Sequence, residues 1–419
     1  MATKDDYERL AMEMETTLQR DVLDVWFPRS VDKEKGGFYS NFTRDWQRTD
    51  SEGKFSVFQG RMVWVASQVV MHRPQSKALF QPIVEHGLKY LNDVLWDKEY
   101  GGFFWGLDEN NKISPRYTDG KHLYGISFGM YGATAAYQAT RDQRALELAQ
   151  KTFRWIDQHA HDNKNGGYFE WLTRDGKVIS GKSGPTLKDV PVAGFPVGYK
   201  SMNTHIHLLE SFTQLYEVWP DVTLQQRLSE LLQIIRDKIC IEPGAMNLYF
   251  TPEWCAIPDH DSYGHDVETA YLILEAESVL GTNSKKTERM ARLLVDHALA
   301  YGWDDRNGGF YRDGTTFGPA KDKRKEWWVQ FEGLTALLMM HQKYGGETEI
   351  YWKAFERQWQ FIRDHQVDKE QGGIFDTLES DGSVKDFTKS RIWKECYHET
   401  RALLNTIERL GKLGTDARK

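Results

Sequence analysis

Apolar residues recur at three- and four-residue spacing in long stretches of this chain: Met62-Val63-Trp64-Val65-Ala66 through Val70, Ala145-Leu146 with Leu148-Ala149, and Leu208-Leu209 through Leu215. That period predicts helices packed on a core, not strands. Between them come loops rich in Asp, Lys and Asn, each followed by paired glycines and a short aromatic run. These runs are Gly36-Gly37-Phe38-Tyr39, Gly101-Gly102-Phe103-Phe104, Gly166-Gly167-Tyr168-Phe169, Gly308-Gly309-Phe310-Tyr311 and Gly372-Gly373-Ile374-Phe375, with a degenerate sixth copy at Gly244-Ala245-Met246. Polar turn, φ > 0 glycines and aromatics predict a small β-hairpin or extended segment joining consecutive helices. The first glycines stand 65, 65, 78, 64 and 64 residues apart. A period near 65 is too long for a tetratricopeptide or ankyrin unit and leaves room for two helices and their loops. Six such units predict an all-α closed ring of helical hairpins that uses residues 1–419 as one domain.

The long interval, from Gly166 to Gly244, has its extra residues in 172–200, rich in Gly, Pro, Lys and Ser. A long loop inserted in a compact repeat reads as a lid over a site.

Composition narrows the function classes. Acids and bases are interspersed at a net charge of −7, which offers no stripe for a phosphate backbone, so nucleic acid is not expected as a partner. No apolar run approaches a membrane span. The first ten residues lack the apolar stretch of a secretory signal, and Cys240, Cys255 and Cys396 lack CxxC spacing, so a cytoplasmic location is expected. No glycine-rich phosphate loop follows a strand and no convincing ligand cluster appears, so neither cofactor nor metal is expected.

Polar residues able to do chemistry fall in one phase of the repeat, at the starts of apolar helices. They are Gln59-Gly60-Arg61, Lys121-His122-Leu123-Tyr124, Asn203-Thr204-His205-Ile206-His207, Gly264-His265-Asp266-Val267-Glu268, Trp327-Trp328-Val329-Gln330 and Trp393-Lys394-Glu395-Cys396-Tyr397-His398. Six in-phase helix starts would converge on one mouth of the ring. Within His205-Ile206-His207 the two rings point about 200° apart on a helix, so they cannot share an ion, and His205 reads as structural. Asn203, His207 and Glu210 share a face, as do His265 and Glu268, so Glu268 is expected to fix the tautomer of His265.

These motifs, in this order and over nearly the whole chain, resemble the cellobiose 2-epimerase branch of the N-acylglucosamine 2-epimerase superfamily. The resemblance implies an (α/α)6 barrel that epimerises or isomerises free reducing sugars without metal or nucleotide, as a monomer or homodimer. By motif, His265 and His398 resemble the acid/base pair, His207 the histidine near the ring oxygen and O1, and Arg61 the arginine that steadies the enediolate. Tyr124, Asn203, Glu268, Trp328 and Trp393 fall in substrate-binding places, and the stretch 251–263, including Trp254, is where a second sugar would be admitted or excluded. Two departures bear on substrate: Gln59-Gly60-Arg61 where cellobiose epimerases tend to have Asn-Ala-Arg, and Val329 where proline often follows the tryptophan pair. They lean the expectation toward free mannose/glucose, with cellobiose-type disaccharides and N-acylated hexosamines as alternatives.

The chemistry suits these residues. Inverting C2 of an aldose needs a proton removed beside a carbonyl and one returned to the opposite face, a task for two groups whose pKa lies near neutrality. A fixed cation beside O1 and O2 stabilises the charge that develops. An aldose–ketose isomerase would use nearly the same parts. A glycoside hydrolase would instead need two carboxylic acids flanking the bond, with Glu210, Asp266, Glu268, Glu332 and Glu399 available.

Overall fold

Helices alternate along the chain between two kinds. A computed structural model describes residues 2–49, 51–179 and 198–416; most of the inserted stretch that reads as a lid, 180–197, lies outside the described residues. The first kind comprises α2 (Ser56–His72), α4 (Leu123–Thr140), α6 (Met202–Val218), α8 (Tyr263–Val279), α10 (Trp327–Tyr344) and α12 (Tyr397–Asp416). The second comprises α1 (Lys4–Thr17), α3 (Lys77–Tyr90), α5 (Gln143–His159), α7 (Val222–Ile234), α9 (Lys285–Tyr301) and α11 (Ile350–Phe361). In α2, 14 of 17 residues are buried, so it is covered on every side. In α5 only 7 of 17 are, at Ala145, Leu148, Ala149, Thr152, Phe153, Trp155 and Ile156, the single stripe of an outer helix.

The even helices form the inner ring. Each packs on the next, α12 returns to α2, and α1 pairs with α12, so the first outer helix closes against the last inner one. The result is an all-α (α/α)6 barrel, as the repeat predicts. Every inner helix runs the same way, because an outer helix carries the chain back each time. Their N-termini therefore share one mouth. At the opposite end their last turns, with Gln68, His72, Gln138, Glu217 and Ser278, line a cavity of about 480 Å³.

The glycine turns are stitched by one repeated device. In five units an aspartate four residues before the first glycine (Asp32, Asp97, Asp162, Asp304, Asp368) receives a buried lysine (Lys54, Lys121, Lys200, Lys325, Lys389) at 2.7–2.9 Å. Its other oxygen caps the turn's own N–H groups, as Asp32 does for Glu34 and Lys35. Bridges such as Val31 to Phe38 and Trp96 to Phe103 close a local hairpin around each turn. Two-residue antiparallel pairs then tie successive units, Lys54 opposite Leu107 and Lys121 opposite Leu172. Gly37 takes φ +68, and a Cβ there would lie 2.4 Å from the Gln59 amide oxygen, so both conformation and space require glycine.

Candidate active site

The inner-helix starts deliver the in-phase residues to one place. On α2 the Arg61 guanidinium is buried. It donates to Glu395 Oε1 at 3.0 Å and to the Tyr124 hydroxyl at 3.2 Å, and lies 4.1 Å from the centre of the Phe128 ring. Its Nε has no partner among the described residues. Tyr124, in the first turn of α4, sets its ring edge-on to His207 at 5.2 Å. His207, on α6, donates from Nδ1 to Glu210 Oε2 at 2.8 Å, and the Oδ1 of Asn203, one turn before it, is buried without a partner among the described residues.

His265, in the first turn of α8, meets the Ser262 hydroxyl through Nδ1 at 2.8 Å. His398, in the first turn of α12, donates from Nδ1 to Glu332 Oε1 at 2.5 Å. Both rings contact the Trp328 indole, at 4.7 Å and 5.9 Å between centroids. Trp328 is held in turn by its Nε1–H on Glu326. Trp393 packs against Phe55 and Tyr124 on the Arg61 side. With Nδ1 committed as donor, His207 and His398 carry their lone pairs on Nε2. Burial lowers His265 to about 3 and takes His398 well below the usual histidine value, so a proton held by either ring is held against a desolvation cost.

Beneath the histidines lies a buried charge cluster centred on Arg401. Its guanidinium donates to Glu268 at 2.5 Å, to Glu332 at 2.6 Å, and to Glu210. Tyr397 donates to Glu210 and Tyr271 to Glu332, which fills the remaining acceptor positions. Burial pushes Glu210 up, but Arg401 and His207 against it bring it below the ordinary carboxylate range. Glu268, Glu332 and His398 offer donor atoms close enough to hold a metal ion. Arg401 already supplies the cation between the two carboxylates, so this donor set does not fit one.

The structure departs from the sequence-based expectations in two places. Glu268 does not hold His265; it binds Arg401, and Ser262, the residue before α8, meets the imidazole instead. Trp254 does not join the cluster. Its Nε1 donates to the carbonyls of Asn165 and Gly166 and its ring covers Lys200, so it plugs a glycine turn as Trp46 does at Gln371. His205 is likewise engaged with backbone, accepting from the Tyr168 N–H and meeting the Ser201 carbonyl. Arg401 and Glu395 are the residues that sequence reasoning missed. Arg401 was findable, lying three residues after His398 and four after Tyr397 on one helical face.

The chain is similar to known proteins over nearly its whole length. The family model for N-acylglucosamine 2-epimerase matches residues 37–402. A cellobiose 2-epimerase from Bacteroides fragilis is 31% identical over 96% of this chain and 99% of its own. A D-mannose isomerase from Marinomonas mediterranea is 22% identical over 92% and 94%. Among solved structures, the cellobiose 2-epimerase of Bacillus thermoamylovorans superposes with a TM-score of 0.86 at 27% identity, covering 96% of this chain and all of that one.

Proposed function

Because this chain belongs to the N-acylglucosamine 2-epimerase family, we propose that the site inverts C2 of a free reducing sugar, and that the sugar is a β-1,4-linked disaccharide of the cellobiose kind. The observation that carries the chemistry is the pair of imidazoles, His265 and His398, both set against one indole beside a buried arginine.

The ring first opens, which moves a proton from O1 to the ring oxygen. His207, its Nδ1–H fixed on Glu210, offers Nε2 for that transfer. With the aldehyde formed, one imidazole takes the C2 proton and a planar enediolate results. Arg61 faces the developing charge with an Nε–H that no described residue engages, a contribution on the order of 3 kcal/mol for a single preorganised donor. The other imidazole enters the cycle as the imidazolium, delivers its proton to the opposite face and ends neutral. The pair thus works with one proton between them, and the ring that starts neutral ends charged. Glu332 against Nδ1 is placed to hold the imidazolium of His398, while His265 has only the neutral Ser262 hydroxyl.

Two features support epimerisation over glycoside hydrolysis. Hydrolysis needs a carboxylic acid free to protonate a leaving group, yet Glu210, Glu268 and Glu332 are all tied to Arg401. Asp266 faces His297, and Glu399 faces the Lys394 ammonium at 3.6 Å.

The disaccharide is favoured because the two departures behind the mannose/glucose lean do not face substrate. Gln59 hydrogen-bonds the N–H and carbonyl of Phe38. A Cβ on Gly60 would lie 2.3 Å from the Phe128 carbonyl, so that glycine lets α2 approach α4. Val329 is fully buried, packed on Gly264 of α8. With those positions assigned to packing, the full-length likeness to cellobiose 2-epimerases weighs more.

Proton NMR of the purified protein in D2O with cellobiose, and separately with mannose, tests the reading. Deuterium at C2 of the product with little ketose, faster on cellobiose, is the expected result. Mannose turning over faster reverses the substrate assignment, and a ketose as main product makes the enzyme an isomerase.

A further inference from the structure

The fourth unit breaks the device that stitches the other five. Where four of them carry a lysine in the two-residue strand that leads into the inner helix, this unit has Asp261, opposite Gly314 as Lys54 is opposite Leu107. Where they carry the turn aspartate, it has Cys240. At the fourth position of the inner helix, Gln59, His205 and Gln330 bind the backbone of their own turns; here that position is Asp266. A buried ammonium has been replaced by two buried carboxylates.

Those carboxylates face a third group. His297, on outer helix α9, directs Nδ1 at Asp266 Oδ2 (3.2 Å) and Asp261 Oδ2 (3.6 Å). Its Nε2–H donates to the Thr316 carbonyl at 2.7 Å, which leaves the Nδ1 lone pair for the carboxylates. All three side chains are at least 97% buried, and Asp261 Oδ2 and Asp266 Oδ1 have no hydrogen-bond partner among the described residues. Two facing carboxylates in a buried site are held together by a shared proton or by a cation, and four sister units place a cation at this strand position.

We propose that Asp261, Asp266 and His297 bind a divalent transition-metal ion, which takes the place of the missing lysine and clamps the first turn of α8 to α9. The spacing fits. Tetrahedral ligands about 2.1 Å from an ion lie about 3.4 Å from one another, and the two imidazole–carboxylate distances bracket that value. One nitrogen and two carboxylates suit zinc or manganese, and the Thr316 carbonyl is the outer partner that a ligating histidine ordinarily has. The ion is structural: Asp266 points toward α9, while its neighbour His265 reaches Trp328.

The test uses the whole protein, dialysed against EDTA and titrated with Co2+ as a spectroscopic probe. One equivalent with visible d–d bands, and a melting temperature raised by a few degrees by Co2+ or Zn2+, is the expected outcome. Both effects should vanish in His297→Gln and in Asp266→Asn, either of which suffices if the other does not fold. Absence of bands and of any thermal shift in the wild type overturns the proposal. So does a shift that persists in both variants, which places the ion elsewhere. Asp261→Lys, which restores the ammonium of the other units, should fold and lose all metal response.

Discussion

His398 and Arg401, one helical turn apart on α12, bind the same carboxylate oxygen: Glu332 Oε1 accepts from the imidazole at 2.5 Å and from the guanidinium at 2.6 Å. Arg401 also grips Glu210, which holds His207. One buried cation therefore sets the orientation of two histidines on different helices. Arg401 touches no reacting atom in this scheme and acts as a positioning residue. Replacing it with Met leaves Glu210, Glu268 and Glu332 buried without their counter-charge, a loss of about 3–5 kcal/mol in stability. Arg401→Lys keeps the charge but not the fork. It should retain the fold, lower kcat more than it raises KM, and leave substrate preference unchanged. Steady-state kinetics beside a thermal melt separates this from a purely structural role, which would move the melt and spare kcat.

The two-imidazole scheme predicts that exchange and inversion come apart. His398→Asn and His265→Asn should each cut epimerisation by roughly 10²–10⁴-fold. The remaining imidazole can still remove and return the C2 proton on its own face. Each variant should therefore wash deuterium into C2 of one epimer without inverting it, and the two should choose opposite epimers. NMR in D2O started from each epimer reads this directly. Equal exchange from both epimers in either variant would mean that one base serves both faces.

Much of this was legible in the sequence because the fold is a repeat. The glycine turns fixed the unit, and the unit placed Arg61, Tyr124, His207, His265, Trp328 and His398 at one mouth before any coordinate was known. What stayed hidden were contacts between units. Nothing local marks Glu332 as the partner of His398, 66 residues away, or Glu395 as that of Arg61, 334 residues away. Proximity in sequence also misled: Glu268 is three residues from His265, yet the buried guanidinium of Arg401 claims it. Nothing local to the stretch 251–263 shows that the Trp254 indole turns onto the carbonyls of Asn165 and Gly166, almost 90 residues earlier in the chain.

The stitched turns predict an acid limit to stability. Burial alone pushes Asp97 and Asp162 up. Arg174 and Lys121 around the first, and Lys200 around the second, nevertheless bring both to about 2. Burial also pulls the lysines down, but Lys200 donates to three oxygens, on Asp162, Gly166 and Pro252, which only the ammonium form satisfies. The folded aspartates thus lie below the ordinary value of 3.8, and the unfolded chain binds more protons between that value and about 2. Their stabilisation is fully present above the unfolded value and is lost as pH falls through the folded one. Urea midpoints should fall steeply between about pH 4 and 2. Asp162→Asn should lower stability at pH 7 and flatten that slope.

Gln59 offers the sharpest test of what the site does not read. Its amide oxygen accepts from the Phe38 N–H at 2.8 Å and its amide nitrogen donates to the Phe38 carbonyl at 2.9 Å, in a buried position. Gln330 makes the same pair of bonds to Phe310 in the fifth unit. Both side chains are buried and committed to their own turns. Gln59→Ala leaves a buried N–H and carbonyl unpaired, at a cost of about 1–3 kcal/mol each, and should lower the melting temperature. The ratio of kcat/KM for cellobiose to that for mannose should not move. Gln59→Asn, which restores the residue that cellobiose epimerases tend to carry, is one methylene too short to make both bonds and should behave alike. A change of substrate ratio in either variant would return this position to the site and with it the case for a monosaccharide.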